Sequence, residues 1–345
     1  MKAALYYDFE KPLLVETVAD PVCPPDGIIL ETKANGVCRS DWHGWMGHDP
    51  MIKLPHVPGH EMSGVVLEVG KDVKNWRIGD RVMVPFCLGC GKCQQCKSGH
   101  THICDNDYQP GFSGWGAFAQ FVAVPRADVN LTKLPDELEF VEAASLGCRF
   151  MTSFHGVVDQ GKVRGGEYLA VHGCGGIGLS AIMIGAALGA QVIAVDIDDS
   201  KLERTKSVGA ALTVNAKTSD AVEVIKELTN GGSHVSIDAL GSALTSRNSI
   251  RSLRKRGRHV QIGLTLAEDA NVLVPMGEVL AKELQIVGSH GMAANRYNDM
   301  LSLILSGKVQ PEKLIGKTIA LEKAGEELAS MGQFAQHGVT VINQF

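Results

Sequence analysis

The 345-residue sequence lacks any long apolar run and any strong excess of charge. A membrane-spanning helix needs roughly 18 to 20 consecutive apolar residues, and no stretch of the sequence reaches that length. The N-terminal residues MKAALYYDFEKPLL also lack the apolar core of a secretory signal peptide. These absences predict a cytoplasmic protein with no membrane partner.

Basic residues are not gathered into a stripe that could follow a phosphate backbone. The 33 Lys and Arg residues are outnumbered by 38 Asp and Glu, and the formal net charge is -5. The one short basic cluster, RSLRKRGR at residues 251–258, is typical of a solvated helix end. A nucleic-acid partner is therefore not expected. Aromatic residues are also few, at 6%, but 45% of residues are hydrophobic, which excludes a disordered chain.

The length predicts two domains, because a single hydrophobic core rarely organises more than about 250–300 residues. Up to about residue 145 the chain is rich in Gly, Pro and short β-branched runs such as MSGVVLEVG, which predict strands joined by turns. After about residue 165, strand-like and helix-like segments alternate. We predict helices near 244–255 and 276–283 and a strand in RHVQIGL, and after residue 289 two or three helices and a last strand, VTVINQF. The alternation predicts an α/β doubly wound parallel sheet of six strands.

A glycine-rich sequence, HGCGGIGLSA, follows the first of these strands. Gly173, Gly175 and Gly178 fit the G-x-G-x-x-G pattern, which lets the backbone turn tightly, approach a pyrophosphate and pack closely on a helix. The next strand ends at Asp196, where a carboxylate can bind the adenosine ribose and repel a 2′-phosphate. No Arg follows in DIDDSK, which favours NAD over NADP. The alternative is a glycine-rich turn that binds no ligand.

Nine cysteines in a protein without a signal peptide point to metal binding or catalysis, because cytosolic thiols stay reduced. Four of them, Cys90, Cys93, Cys96 and Cys104, lie within 15 residues in the segment 87–105, which we call the four-cysteine lobe. This spacing predicts a structural Zn²⁺ site. An Fe–S cluster, free thiols and disulfides are the alternatives, although Asp105 stands where ferredoxins commonly have a Pro.

A catalytic zinc needs an open coordination position and therefore fewer protein ligands. The candidates are Cys38 in GVCRSDWH, the pair His60 and Glu61 in PGHEMSGVV, and Cys148 in LGCRFMT. Together with GDRV, CGKCQQC and GCGGIG, these motifs resemble, in order and along essentially the whole chain, the zinc-dependent alcohol dehydrogenases of the medium-chain dehydrogenase/reductase superfamily.

This resemblance implies a domain organisation. A catalytic GroES-like zinc domain would comprise residues 1–149, completed by 290–345, and a Rossmann domain that binds NAD would comprise residues 150–289. The resemblance also implies two zinc ions per chain. Cys38, His60 and Cys148 would hold the catalytic ion, with Glu61 close behind it and able to exchange onto it.

The implied reaction interconverts alcohols with aldehydes or ketones by hydride transfer from a zinc-bound alkoxide to NAD. Ser40 would accept the alcohol proton and pass it to His43, and Asp41 would orient the zinc-bound histidine. Arg39 would pair with the pyrophosphate. The other residues assigned by position are the fingerprint residues Gly173, Gly175, Gly176, Ile177 and Gly178 with Asp196 and Lys201 for the dinucleotide, Thr152 and Leu264 beside the cofactor, and Ser40, Trp42 and Phe86 for the substrate pocket.

Cys148 favours an alcohol dehydrogenase over the polyol branch, in which a glutamate usually takes its place. Two departures from the family pattern stand out: Arg149 follows Cys148 where some relatives have an apolar residue, and the C-terminal GVTVINQF lacks the arginine that several relatives direct at the pyrophosphate. A polyol or amino-alcohol dehydrogenase and a non-catalytic dinucleotide-binding protein stay as alternatives. The resemblance also implies a homotetramer.

Overall fold

The computed structural model describes residues 1–333 and 338–345, which form two compact units. The first unit comprises Met1–Cys148, Gly291–Ser302 and Leu314–Phe345, and the second comprises Arg149–His290 and Leu303–Lys313. Within these described residues, no helix combines the length and the apolar character needed to cross a membrane.

The N-terminal part of the first unit is mostly β-structure, as its short β-branched runs predict. Ile28 and Leu30 are fully buried and pack with Val66 and Val82 of neighbouring strands, so alternate residues of each strand face one core. The strands are β1 (Lys2–Leu5), β2 (Leu14–Thr17), β3 (Ile28–Val37), β4 (Glu61–Val69), β5 (Arg81–Met83), β6 (Phe121–Val124) and β7 (Thr132–Lys133), and the helices are α1 (Arg39–Trp45), α2 (Gln94–Lys97), α3 (Ala127–Asn130) and α4 (Phe140–Ser145).

The second unit contains the predicted parallel sheet. Its helices and strands in chain order are α5 (Met151–Phe154), β8 (Tyr168–His172), α6 (Gly176–Ala187), β9 (Gln191–Asp196), α7 (Asp199–Ser207), β10 (Leu212–Asn215), α8 (Ala221–Thr229), β11 (Ser233–Asp238), α9 (Ala243–Arg251), β12 (Leu253–Gln261), α10 (Met276–Lys282) and β13 (Gln285–Gly288). The six strands are ordered β10-β9-β8-β11-β12-β13 and every neighbouring pair is parallel, which confirms the doubly wound fold.

The C-terminal segment adds strands to the sheet of the first unit. It contains α11 (Tyr297–Leu305), β14 (Ile315–Ala320), α12 (Ala324–Ser330) and β15 (Val339–Gln344). β15 pairs antiparallel with β3 and parallel with β14, so the last strand of the chain lies beside the third in a seven-stranded sheet. The sequence predicted this last strand but not β14.

The helix predicted over residues 244–255 is too long at its C-terminal end. α9 ends at Arg251, and β12 already begins at Leu253 inside the basic cluster. The physical reason is burial: the Leu253 side chain is fully buried in a cluster with Ile250 and Leu284, and its backbone pairs with Ser233 of β11. Because exposed basic residues follow Leu253, the sequence pattern gives no sign that this position is buried in a strand.

Candidate metal and cofactor sites

Four side chains from distant parts of the first unit meet at one buried point. Cys38 caps the N-terminus of α1, His60 and Glu61 stand at the start of β4, and Cys148 lies in a π-helical turn (Leu146–Phe150). One ligand atom from each lies within 4.8 Å of the others. The structure thus brings together the four residues predicted for the catalytic zinc.

Asp41 holds two of these ligands in place. Its carboxylate is buried and accepts hydrogen bonds from the backbone N–H of Cys38 at 2.9 Å and of Gly59 at 3.0 Å. His60 Nδ1 lies 2.8 Å from the same carboxylate. Burial lowers the pKa of His60, but the Asp41 carboxylate outweighs it and raises that pKa well above its usual value. The contact with Asp41 keeps a proton on Nδ1, so Nε2 is the nitrogen that would bind a metal, and it would release its own proton on doing so.

The donor set fits zinc. His60 Nε2 is buried and has no hydrogen-bond partner within the described residues, as expected of a nitrogen that binds a metal. Two thiols and an imidazole are ligands that Zn²⁺ prefers, and three protein ligands leave a position open. The aromatic rings of Phe86 and Phe112 lie 5.9 Å and 4.9 Å from the His60 ring, measured between centroids. The region beside His60 that these two rings cover is apolar, which suits a small alcohol.

Helix α1 carries the other residues predicted for proton transfer and the pocket. Ser40, Trp42 and His43 are all half-buried on it. His43 Nδ1 lies 3.0 Å from Nδ1 of the exposed His48. Burial, followed by the nearby charges of Arg39 and His48, lowers the pKa of His43 to about 4. His43 is thus a neutral imidazole near neutral pH, and one nitrogen is already engaged with a second histidine.

Arg39 does more than the sequence predicted for it. Its guanidinium stacks over the Trp42 ring, 4.2 Å from the centroid, and donates a hydrogen bond to the Met331 carbonyl oxygen. These contacts within the first unit support α1. The assignment of Arg39 to the pyrophosphate stays a prediction.

The four-cysteine lobe forms a second cluster in which the Sγ atoms of Cys90, Cys93, Cys96 and Cys104 lie within 4.8 Å of one another. Backbone N–H groups of Lys92 and Cys93 point at Cys90 Sγ from 3.4 Å and 3.3 Å, and they lower the pKa of that thiol to about 6. All nine cysteines are free thiols in the structure. Four free thiols this close together, with the thiolate form of Cys90 favoured by backbone N–H groups, fit a closed structural zinc site.

The glycine-rich turn lies between β8 and α6 in the second unit. Gly173 has a φ of +95°, which a side chain rarely adopts. A Cβ atom on Gly178 would lie 1.8 Å from the Gly173 carbonyl oxygen, so only glycine fits there. Apart from its neighbours in the chain, no heavy atom of the described residues lies within 4 Å of a Cβ position on Gly175, which leaves room for a pyrophosphate above the helix N-terminus. Each glycine has the environment that the fingerprint requires.

The remaining predicted cofactor residues also lie in the second unit. Asp196 is fixed at the end of β9, because its carboxylate accepts hydrogen bonds from the N–H of Cys174 at 2.7 Å and of Ile197 at 2.8 Å. Thr152 is buried, and its Oγ1 has no hydrogen-bond partner within the described part of the chain. A buried hydroxyl of this kind fits a polar ligand such as a nicotinamide carboxamide. The other three are placed as follows: Lys201 is half-buried on α7, Leu264 is exposed after β12, and the Ile177 carbonyl oxygen accepts a hydrogen bond from Ser153.

Three residues near the metal cluster were missed by sequence reasoning or given no role. His48 pairs with His43, and Phe112 packs on His60. Tyr297 is fully buried, and burial, with smaller contributions from the nearby Cys148 and Glu61, raises the pKa of its hydroxyl. None of these three residues belongs to a recognisable motif, so the local sequence does not indicate their contacts or their burial.

Comparisons with known proteins agree with this geometry. Residues 24–136 match the alcohol dehydrogenase GroES-like domain family, and residues 176–306 match the zinc-binding dehydrogenase family. An alcohol dehydrogenase of Geobacillus stearothermophilus is 36% identical over 90% of this chain and 90% of its own length. An NAD-dependent alcohol dehydrogenase of Sulfurisphaera tokodaii is 33% identical over 99% of each chain.

The fold is also shared along the full length. The alcohol dehydrogenase from Thermus sp. ATN1 matches this structure with a TM-score of 0.91 and 30% identity, and the match covers 100% of both chains. The resemblance inferred from the motifs is thus confirmed, together with the GroES-like and Rossmann folds. The chain belongs to the zinc-dependent alcohol dehydrogenases of the medium-chain dehydrogenase/reductase superfamily, and it is an alcohol oxidoreductase.

Proposed function

We propose that this enzyme interconverts small alcohols with aldehydes or ketones, with NAD as the hydride carrier and one catalytic zinc held by Cys38, His60 and Cys148. The observation that carries the proposal is the buried donor cluster with Asp41 behind His60. When bound, zinc lowers the pKa of an alcohol, and NAD accepts the hydride. The protein's own contribution is to fix the ligands and to exclude water with the rings of Phe86 and Phe112.

Asp196 supports NAD rather than NADP as the cofactor. Its carboxylate is held by backbone N–H groups at the end of β9, so it cannot swing away from a ligand in that position. A 2′-phosphate would meet this negative charge, whereas the two hydroxyl groups of a ribose can donate hydrogen bonds to it.

The test of the proposal is a substrate panel combined with metal analysis. Ethanol, benzyl alcohol, sorbitol and threonine are each offered with NAD and with NADP, and NADH or NADPH formation is followed by absorbance. We expect turnover of the first two alcohols with NAD and two zinc ions per chain, one for each cluster. Preferential turnover of sorbitol or threonine would move the enzyme to the polyol or amino-alcohol class. No turnover at full zinc content would leave a dinucleotide-binding protein.

Ser40 and His43 are proposed to carry the alcohol proton away, with His48 as the last carrier before solvent. The pairing of His43 Nδ1 with His48 Nδ1 at 3.0 Å supports this path. Replacing His43 with glutamine should lower kcat by about tenfold near neutral pH. This is less than the loss of roughly a hundredfold typical for a general base, because water can replace part of the path. The loss should shrink as pH rises, since hydroxide then removes the proton directly.

The measurement is the pH profile of kcat for His43→Gln and for His48→Ala. His48→Ala removes one of the causes that lower the pKa of His43, so that pKa should rise toward its usual value of 6.5. An unchanged kcat at every pH in His43→Gln would exclude this proton path.

We also propose a cytoplasmic homotetramer. Zinc–thiolate clusters and free thiols suit a reducing compartment. In the second unit the edge strand β13 carries Ile286, which is 40% exposed, and the preceding helix carries Leu280, which is 82% exposed. Exposed apolar side chains beside an open sheet edge favour association between copies of the chain. The mass in solution, measured by light scattering, separates a tetramer from a dimer.

A further inference from the structure

Arg149 is a buried basic residue in the second unit whose side chain lies against Gly176 of the glycine-rich turn. It is 8% exposed. A Cβ atom added to Gly176 would lie 2.4 Å from Arg149 Cδ, 3.3 Å from Cγ and 3.5 Å from Nε. The stem of the arginine therefore fills the space that any side chain at position 176 would need.

This contact accounts for a glycine that the fingerprint does not demand. The G-x-G-x-x-G pattern requires Gly173, Gly175 and Gly178, while position 176 is one of its variable positions. Here that position is also a glycine. The absence of a Cβ at 176 is what lets Arg149 lie across the start of α6.

The stem of Arg149 lies beside a place where an anion is favoured. Gly176 is the first residue of α6, a helix of 12 residues, and the N–H groups of its first turn attract negative charge. Gly176 also adjoins the open space above Gly175, where no non-neighbouring heavy atom of the described residues lies within 4 Å of a Cβ position. A guanidinium offers five N–H donors in a planar fork, so it can bind phosphate oxygens in addition to any protein acceptor.

We propose that Arg149 binds the pyrophosphate of the dinucleotide. This rests on the proposed function, because it requires that the fingerprint binds a dinucleotide. The C-terminal residues GVTVINQF contain no arginine that could supply this charge from the end of the chain. Arg149 thus provides, from the residue after Cys148, a positive charge that the fingerprint glycines cannot provide.

The test is ligand binding by Arg149→Gln, measured by calorimetry without any alcohol present. The Kd values for NADH and for ADP-ribose should rise about 10- to 100-fold, the range for a lost hydrogen bond to a charged group of about 1.5–3 kcal/mol. The Ki of adenosine, which has no phosphate and competes with NADH, should stay within about twofold. The Kd values of Arg149→Lys for NADH and ADP-ribose should lie between those of the parent and of Arg149→Gln, since lysine keeps the charge but lacks the planar fork of donors. Arg164→Gln, an exposed arginine of the same unit, is the matched control.

A role in packing alone predicts a different pattern. Equal losses for NADH, ADP-ribose and adenosine, or no loss at all while the parent binds NADH, would overturn the proposal. If the parent itself binds no NADH, the cofactor assignment under the proposed function fails as well.

A second variant covers the case in which Arg149→Gln does not fold. Gly176→Ala places a Cβ against the arginine stem, so it should weaken NADH and ADP-ribose selectively through displacement of the guanidinium. Parental affinity for NADH and ADP-ribose in Gly176→Ala would contradict the proposal. Where Arg149→Gln does fold, the two effects should not add in the double variant, because both act on the same contact, and additive losses would contradict the proposal as well.

Discussion

Replacing Cys38 with serine should lower kcat/KM for alcohol oxidation by at least about a thousandfold. Zinc contributes several kcal/mol to reactions of this kind, and each 1.36 kcal/mol corresponds to a factor of ten. Serine keeps the size of the side chain but removes the thiolate, which is the zinc ligand. Cys38 is buried at the N-terminus of α1, and its Sγ is one of the four clustered ligand atoms.

The zinc content is the second measurement on this variant. It should fall from two ions per chain toward one, because the four-cysteine lobe shares no residue with the buried cluster. Cys23→Ser is the matched control, since Cys23 belongs to neither cluster and its thiol lies near the carbonyl oxygens of Pro24 and Gly27. Parental activity in Cys38→Ser, or loss of both zinc ions, would show that the ligand assignment is wrong.

Replacing Gly178 with alanine should abolish measurable NAD binding and destabilise the second unit. The new Cβ would lie 1.8 Å from the Gly173 carbonyl oxygen, so either the helix or the turn must move. Overpacking costs about 1–3 kcal/mol and occasionally more, and here the obstacle is backbone, which cannot rotate away. A shift of α6 also moves the N–H groups that favour an anion, so the Kd for NADH should rise at least about a hundredfold.

Two other glycines separate these effects. Gly175→Ala should keep the parental melting temperature, because no non-neighbouring heavy atom in the described part of the chain lies within 4 Å of its Cβ position. It should still weaken NADH binding, because that Cβ occupies the open space above the turn. Gly277→Ala lies in α10 with equally open surroundings; it should leave NADH binding unchanged and raise the melting temperature slightly, because alanine is the better helix former. If Gly178→Ala melted and bound NADH like the parent, the steric account of the fingerprint would be refuted.

Much of the fold could be predicted because several of its strands are buried and therefore consist almost entirely of apolar residues. The neighbouring strands β8 and β9 of the second unit are almost wholly buried, so they stand in the sequence as the continuous apolar runs YLAVHG and QVIAVD. β14 could not be found in this way, since its sequence IGKTIA has three exposed residues and lies at the edge of a sheet. Leu253 was missed because its burial depends on Leu284, 31 positions further along the chain.

The predicted metal ligands also differ in how far the local sequence indicates them. The four cysteines of the lobe are close in sequence, so their spacing alone indicates a site. Cys38, His60 and Cys148 are distant in sequence, and only the family resemblance grouped them before the structure placed their ligand atoms together. Contacts that no motif encodes, such as Phe112 on His60 or Arg149 on Gly176, depend on the packing and could not be predicted.

The local closure of the four-cysteine lobe also bears on the order of events during protein synthesis. Its last ligand, Cys104, leaves the ribosome before Cys148, by a few seconds at the usual rate of about 5–20 residues per second. The lobe can therefore take up zinc while the buried cluster still lacks a ligand. When zinc is scarce, a nascent chain would fill the structural site in the four-cysteine lobe before the catalytic site. The zinc shortage would then appear as folded but inactive enzyme.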